Sequence, residues 1–253
     1  MIAQFFRALF SKNFPCNPRN EELSHAELRA ISVGAVLAGV RAEYWDSLKT
    51  GAGGNAGKSL KEWWGIYSPQ SSVKALVRLR NRMHSKMYNY VLDSLGRNLE
   101  QELPFEAFCD VYQEHWLGLS DDEYDKHDEY DTYLSSGYNL TQTIDELIKR
   151  EIVHSDERLE SIDTTAWDMG RMVNVARWCY EIGYIPESLA WEYIFQAEKV
   201  CADIYADWAN FGKSYIVGRA MWGGVGMQLT NTIDMVERLH KDDKSPWRHM
   251  SLR

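Results

Sequence analysis

Residues 166–222 read AWDMGRMVNVARWCYEIGYIPESLAWEYIFQAEKVCADIYADWANFGKSYIVGRAMW. Aromatic and small residues recur through this block at helical spacing, and single charges fall on or beside the apolar face. Burying a charge without a partner is costly. A chain that keeps such groups therefore pairs them in its core or builds a site from them. The block predicts at least three packed helices. The first spans 165–182 and stops at Gly183, the second begins beyond Pro186-Glu187, and the third lies near 214–222 with a continuation through 230–240.

Helix signals dominate upstream as well. Ser24 followed by Glu27 is a capping box opening HAELRAISVGAVLAGVRAEYWDSL. A Gly/Ala/Asn loop at 50–57 precedes a helix through KSLKEWWGI, and Ser68-Pro69 starts a third near SSVKALVRLRNRMHSKMYNYVLDSL. Pro104 opens FEAFCDVYQEHWLGL. Period-two alternation is nearly absent. The expected fold is all-α: a single compact multi-helix domain with an acidic loop insertion. An N-terminal amphipathic arm covers 1–22 and one helical domain covers 23–253. That domain divides into N-terminal helices at 23–118, an acidic segment at 119–135 and a C-terminal helical core at 141–240. A chain of 253 residues with 10 Trp and 14 Tyr has ample apolar area for one core without staples.

The formal net charge of -9 argues against general affinity for nucleic acid or anionic membrane, both of which rest on Lys/Arg fields. No apolar run reaches the ~20 residues that span a bilayer, so no stable membrane insertion is expected. Cys16, Cys109, Cys179 and Cys201 form no CxxC pair and no zinc spacing with histidine, a pattern of reduced thiols in a cytoplasmic protein. The expectation is no cofactor and no metal.

AGGNAGKS at 52–59 fits a relaxed phosphate-loop pattern, with Lys58 and Ser59 in the lysine and hydroxyl positions. It lacks the preceding buried strand, and a flexible link between two helices is the simpler reading. The seven histidines show neither HxxxH nor HExxH spacing, and there is no GxSxG elbow. The acidic run carries Asp121, Asp122, Glu123, Tyr124, Asp125, Asp128, Glu129 and Asp131. Its acids are out of register for a calcium loop, which leaves a solvated segment or a docking surface for a basic partner. Asp168 and Arg171, three apart, share a helix face. With Arg219 and Tyr215 they read either as a structural polar network bracing the helices or as a ligand pocket for an anion.

The segments AWDMGRMVNVARWCYEIGYI, ESLAW and DWANFGKSYIVGRAMW, with EWWGI upstream, resemble the bacterial domain-of-unknown-function family numbered 1266, the YbeU-like proteins. Among the residues carrying the resemblance are Trp167, Asp168, Gly170, Arg171, Arg177, Gly183, Tyr215, Gly218, Arg219 and Trp222. Met83-His84-Ser85 stands where a Gly-His-Arg signature is common in that family. The resemblance implies a helical fold and supplies no reaction.

With no catalytic signature, the expected function is that of a non-enzymatic cytoplasmic binding protein. An immunity-type protein would neutralise a cognate toxin by meeting a basic toxin domain through the acidic run. The alternative is an enzyme or small-ligand sensor using Asp168, Arg171, Arg219 and Tyr215 in a polar pocket.

Overall fold

The computed structural model describes residues 14–19, 23–100 and 123–253, with the side chains of 94–100 and 123–130 left out. The elements in chain order are α1 (His25–Ser32), α2 (Ala35–Val40), α3 (Gly54–Trp64), α4 (Pro69–Arg80), α5 (Met83–Glu100) and α6 (Glu123–Lys149). A 3-10 turn (Leu159–Ser161) leads into α7 (Thr165–Glu181), α8 (Glu187–Ile204), α9 (Trp208–Gly223), α10 (Met227–Lys241) and α11 (Pro246–His249). Among the described residues there is no strand, so the all-α class holds.

Local chemistry fixes several helix starts. The Ser24–Glu27 capping box is formed in both directions at the head of α1. Ser68 caps α4, with Pro69 in the first turn, where its missing N–H costs nothing. Asp207 accepts from Asn210 N at 2.9 Å and starts α9 well before the predicted 214.

The acidic run corrects the sequence reading. From Glu123 onward it is the N-terminal part of α6, not a loop. Asp121 and Asp122 lie outside the described residues, as do the expected helix at Pro104 and most of the arm at 1–22. Carboxylates near a helix N-terminus oppose its positive dipole end, so an acidic first turn favours helix. Tyr133, Ser136, Leu140, Thr143 and Leu147 then supply a fully buried stripe at alternating three and four spacing, and it faces α5 and α9.

α7 is the centre of the molecule. Every residue from Thr165 to Cys179 is buried. It packs against α2, α3, α4, α5, α8 and α9, so nearly all of it is enclosed, with Trp167, Arg171 and Trp178 bordering a cavity. The crossing with α9 is close because glycine sits at both contacts. A Cβ on Gly170 would lie 2.7 Å from the Tyr215 ring, and one on Gly218 would lie 2.4 Å from Trp167 Cβ. A third aromatic layer closes the far end of α9. Trp208 and Trp247 stack at 5.0 Å, with Phe211 edge-on to both.

Candidate functional site: a cationic cavity beside the central helix

The polar residues of α7 recur every three positions: Asp168, Arg171, Asn174 and Arg177. Successive members therefore turn to different neighbours. Asn174 donates to Gly34 O at 2.8 Å, at the head of α2. The Arg177 guanidinium is fully buried and donates to the carbonyls of Tyr44 and Ser47 at 2.5 and 2.7 Å. These two are braces, Asn174 on a carbonyl at the head of α2 and Arg177 on carbonyls of the segment before α3. Glu181, the last residue of α7, accepts from Thr50 N at 2.9 Å, Gly53 N at 3.1 Å and the Thr50 hydroxyl. The phosphate-loop-like segment thus has one amide, that of Gly53, engaged by a carboxylate of its own chain, with Thr50 just ahead of it bound to the same group. Lys58 is exposed on α3 and pairs with Glu62 at 3.8 Å; the segment is not the flexible link the sequence suggested, because from Gly54 onward it is the first part of α3.

Asp168 and Arg171 form a different arrangement. Asp168 is fully buried and accepts from Ser85 N at 2.8 Å, Ser85 Oγ at 2.6 Å and Arg171 Nη2 at 2.6 Å. His84 Nδ1 lies 3.1 Å from Oδ1, the oxygen that also accepts from Arg171, while Ser85 holds Oδ2. The carboxylate sits at the N-terminal turn of α5, where free amides and the helix dipole favour an anion. Burial alone would push the Asp168 carboxyl up. The bonds from His84 and Ser85 and the charge of Arg171 overrule it and hold the group well below the usual carboxylate range.

Arg171 and Arg219 line a cavity of about 690 Å³ bounded by α2, α3, α4, the start of α5, α7, α9 and α10. Arg41, Lys58, Arg78 and His84 also face it, and its one carboxylate is Glu62. Trp63, Trp64, Trp167, Trp178 and Trp222 make much of the wall. The guanidinium groups lie against these rings: Arg171 is 4.2 Å from the Trp167 centroid, Arg41 4.8 Å from Trp178 and Arg219 5.1 Å from Trp222. Arg41 is compensated by buried Glu43 at 2.8 Å, and Arg171 by Asp168. Arg219 and Arg78 have no carboxylate partner among the described residues.

Arg219 is the least satisfied of the set. It is 6% exposed, donates from Nη2 to Gln228 Oε1 at 3.0 Å, and leaves buried Nη1 with no acceptor. The group lies flat against its own helix because residue 223 is glycine; a Cβ there would meet Nη1 at 2.3 Å. Burial lowers the Arg219 pKa and raises that of Tyr215, which stays a neutral phenol beside the two arginines. His84 is pushed down by burial and by Arg171 and Arg78, against the pull of Asp168, so its imidazole is neutral at pH 7.

The structure therefore brings Asp168, Arg171, Tyr215 and Arg219 together. Sequence reasoning missed His84, Ser85, Arg41 and Arg78. The one available signal was the histidine of Met83-His84-Ser85, which keeps its place in an otherwise altered family signature. Of the acidic run, Asp131 is exposed on α6; the side chains of Glu123, Tyr124, Asp125, Asp128 and Glu129 lie outside the described residues. Among the described residues no His, Cys, Asp or Glu cluster could hold a metal ion, and no helix is long and apolar enough to cross a membrane.

Fold and site together define an all-helical domain organised around one ion-bearing central helix, with a tryptophan-walled cationic cavity at its flank. The chain belongs to the family described as protein of unknown function, DUF1266, which matches residues 59–252. The match takes in α4 to α11 and most of α3. No curated protein and no solved structure matches the chain.

Proposed function

We propose that this protein binds an organic anion with an apolar or aromatic body in the cavity beside α7. The observation that carries the reading is Arg219, a buried guanidinium with an unused donor and no carboxylate partner, on the wall of a cavity large enough for a small molecule. In a chain with 37 acidic and 28 basic side chains, five basic ones converging on one cavity is a local reversal of the overall charge. Indole walls suit a flat or apolar body, and guanidinium forks suit a carboxylate or phosphate.

Quenching of tryptophan fluorescence tests this, with phenyl phosphate and benzoate as probes and benzyl alcohol as the neutral control. The anions are expected to quench saturably and more weakly at high salt, and Arg219→Gln to weaken them roughly tenfold, the scale of one charge-assisted hydrogen bond. Equal binding of benzyl alcohol, or no change in Arg219→Gln, would remove the reading. The toxin-neutralising role of the acidic run is a separate proposal, supported by the net charge and by carboxylates gathered at the head of α6. Charge reversal at Asp125, Asp128 and Asp131 with loss of a co-purifying basic partner would support it.

A further inference from the structure

One acceptor stands out among the donors of the cavity. His84 Nδ1 faces the ionised Asp168 carboxylate, so the ring proton sits on Nδ1 and the lone pair on Nε2. Nε2 has no protein partner among the described residues and is not sealed from solvent, since the side chain is 31% exposed and lines the cavity. Arg171 uses Nε on Trp167 O and Nη2 on Asp168, which leaves Nη1 with no acceptor among the described residues. A base held by a buried carboxylate therefore shares the cavity with two guanidinium groups able to meet developing negative charge.

The surroundings also select the reaction. The exposed part of the imidazole opens to the cavity, where water reaches it, which favours removing a proton from water over removing one from a shielded carbon. The neighbouring hydroxyl, Ser85 Oγ, gives its proton to Asp168, so it is not set up as a nucleophile for His84 Nε2. We propose that the cavity hydrolyses esters of organic anions by direct attack of water, with His84 as the general base and Asp168 as its positioning residue. Water gives one proton to Nε2 as its oxygen bonds to the acyl carbon. The carbonyl π electrons move to the carbonyl oxygen, beside Arg171 and Arg219. On collapse the ester C–O bond breaks, and the leaving oxygen departs as the alcohol with the proton from the imidazolium, or as its anion with that proton released to solvent. Ester and water become acid and alcohol, with no other reactant.

This rests on the anion-binding reading, and the experiment separates the two. Turnover of 4-nitrophenyl hydrogen succinate, an anionic ester, is followed beside neutral 4-nitrophenyl acetate, with phenyl phosphate binding measured on the same samples. The wild type is expected to saturate and to prefer the anionic ester. His84→Gln should lose 100-fold or more in kcat, with KM within about threefold, unchanged phenyl phosphate binding and an unchanged unfolding midpoint. The groups that face His84 are Asp168 and Arg171 from α7, Arg78 from α4 and Tyr88 from its own helix. With Asp168 ionised and the arginines charged throughout, kcat should follow the imidazole alone, flat at pH 7 and falling as pH drops below 6.5. Wild type that binds phenyl phosphate and cleaves neither ester overturns hydrolysis and leaves anion binding standing. Undiminished turnover in His84→Gln, or a stoichiometric nitrophenolate burst from an acyl-enzyme, also overturns it. Absence of phenyl phosphate binding removes both readings.

Discussion

Arg177 and Arg219 are both buried arginines, and their surroundings give them opposite roles. Arg177 is enclosed by backbone carbonyls from the segment before α3 and by Asn174. Arg219 has one amide oxygen, one indole face and an idle donor. Truncating the first leaves several buried acceptors without a donor, a loss of about 3–5 kcal/mol by comparison with other broken buried polar pairs. Arg177→Met is therefore expected to lower the urea midpoint strongly, and Arg219→Gln much less. Equal losses would mean that Arg219 is as structural as Arg177. Both residues were visible in the sequence as charges inside an apolar helix. Their partners were not, because the Tyr44 contact spans 133 positions and the Ser85–Asp168 contact spans 83. A spacing of three reveals the Asp168–Arg171 pair; no local pattern reveals a contact between helices.

At the scale of elements, α7 finishes its neighbours. Asp168 occupies the start of α5, Asn174 meets the head of α2, and Glu181 gathers amides ahead of α3. Helix ends carry unsatisfied backbone groups, and here a buried helix supplies some of the missing partners. Helix existence was legible because capping boxes, proline at first turns and apolar spacing are local. The acidic run misled because charge density suggests a solvated loop, whereas the stripe from Tyr133 to Leu147 decides in favour of helix. The α7–α9 crossing gives a sharp test. Gly218→Ala would press a methyl into Trp167, an overpacking cost of about 1–3 kcal/mol. Because Trp167 is also cavity wall, phenyl phosphate binding should weaken in the same variant. A lowered unfolding midpoint with unaltered binding would show that the indole absorbs the strain without moving the site.

For the whole molecule, acid should act through two groups of the same sign. The native state holds the His84 pKa below 6.5, so below that pH the unfolded chain takes up a proton that the native imidazole refuses, and stability falls. Asp168 is held below 3.8, so its contribution is present above that value and is lost as pH falls through the lower native one. Glu43 works in the opposite direction, because burial raises its pKa against the pull of Arg41 and Arg177. Urea unfolding of wild type and His84→Gln at pH 7 and 5 should show a larger acid loss in the wild type. Equal losses would place the proton elsewhere.

The carboxylate of Glu181 has one more effect. α3 carries Lys58, Trp63 and Trp64 into the cavity wall, and the segment leading into its first turn is tied through Gly53 and Thr50 to the end of α7. Its other end is pinned by Ile66, buried in the core between exposed Gly65 and Tyr67. With both ends of α3 held to the body, the indoles of Trp63 and Trp64 meet a guest as a face already set in place, so little ordering cost is left to binding.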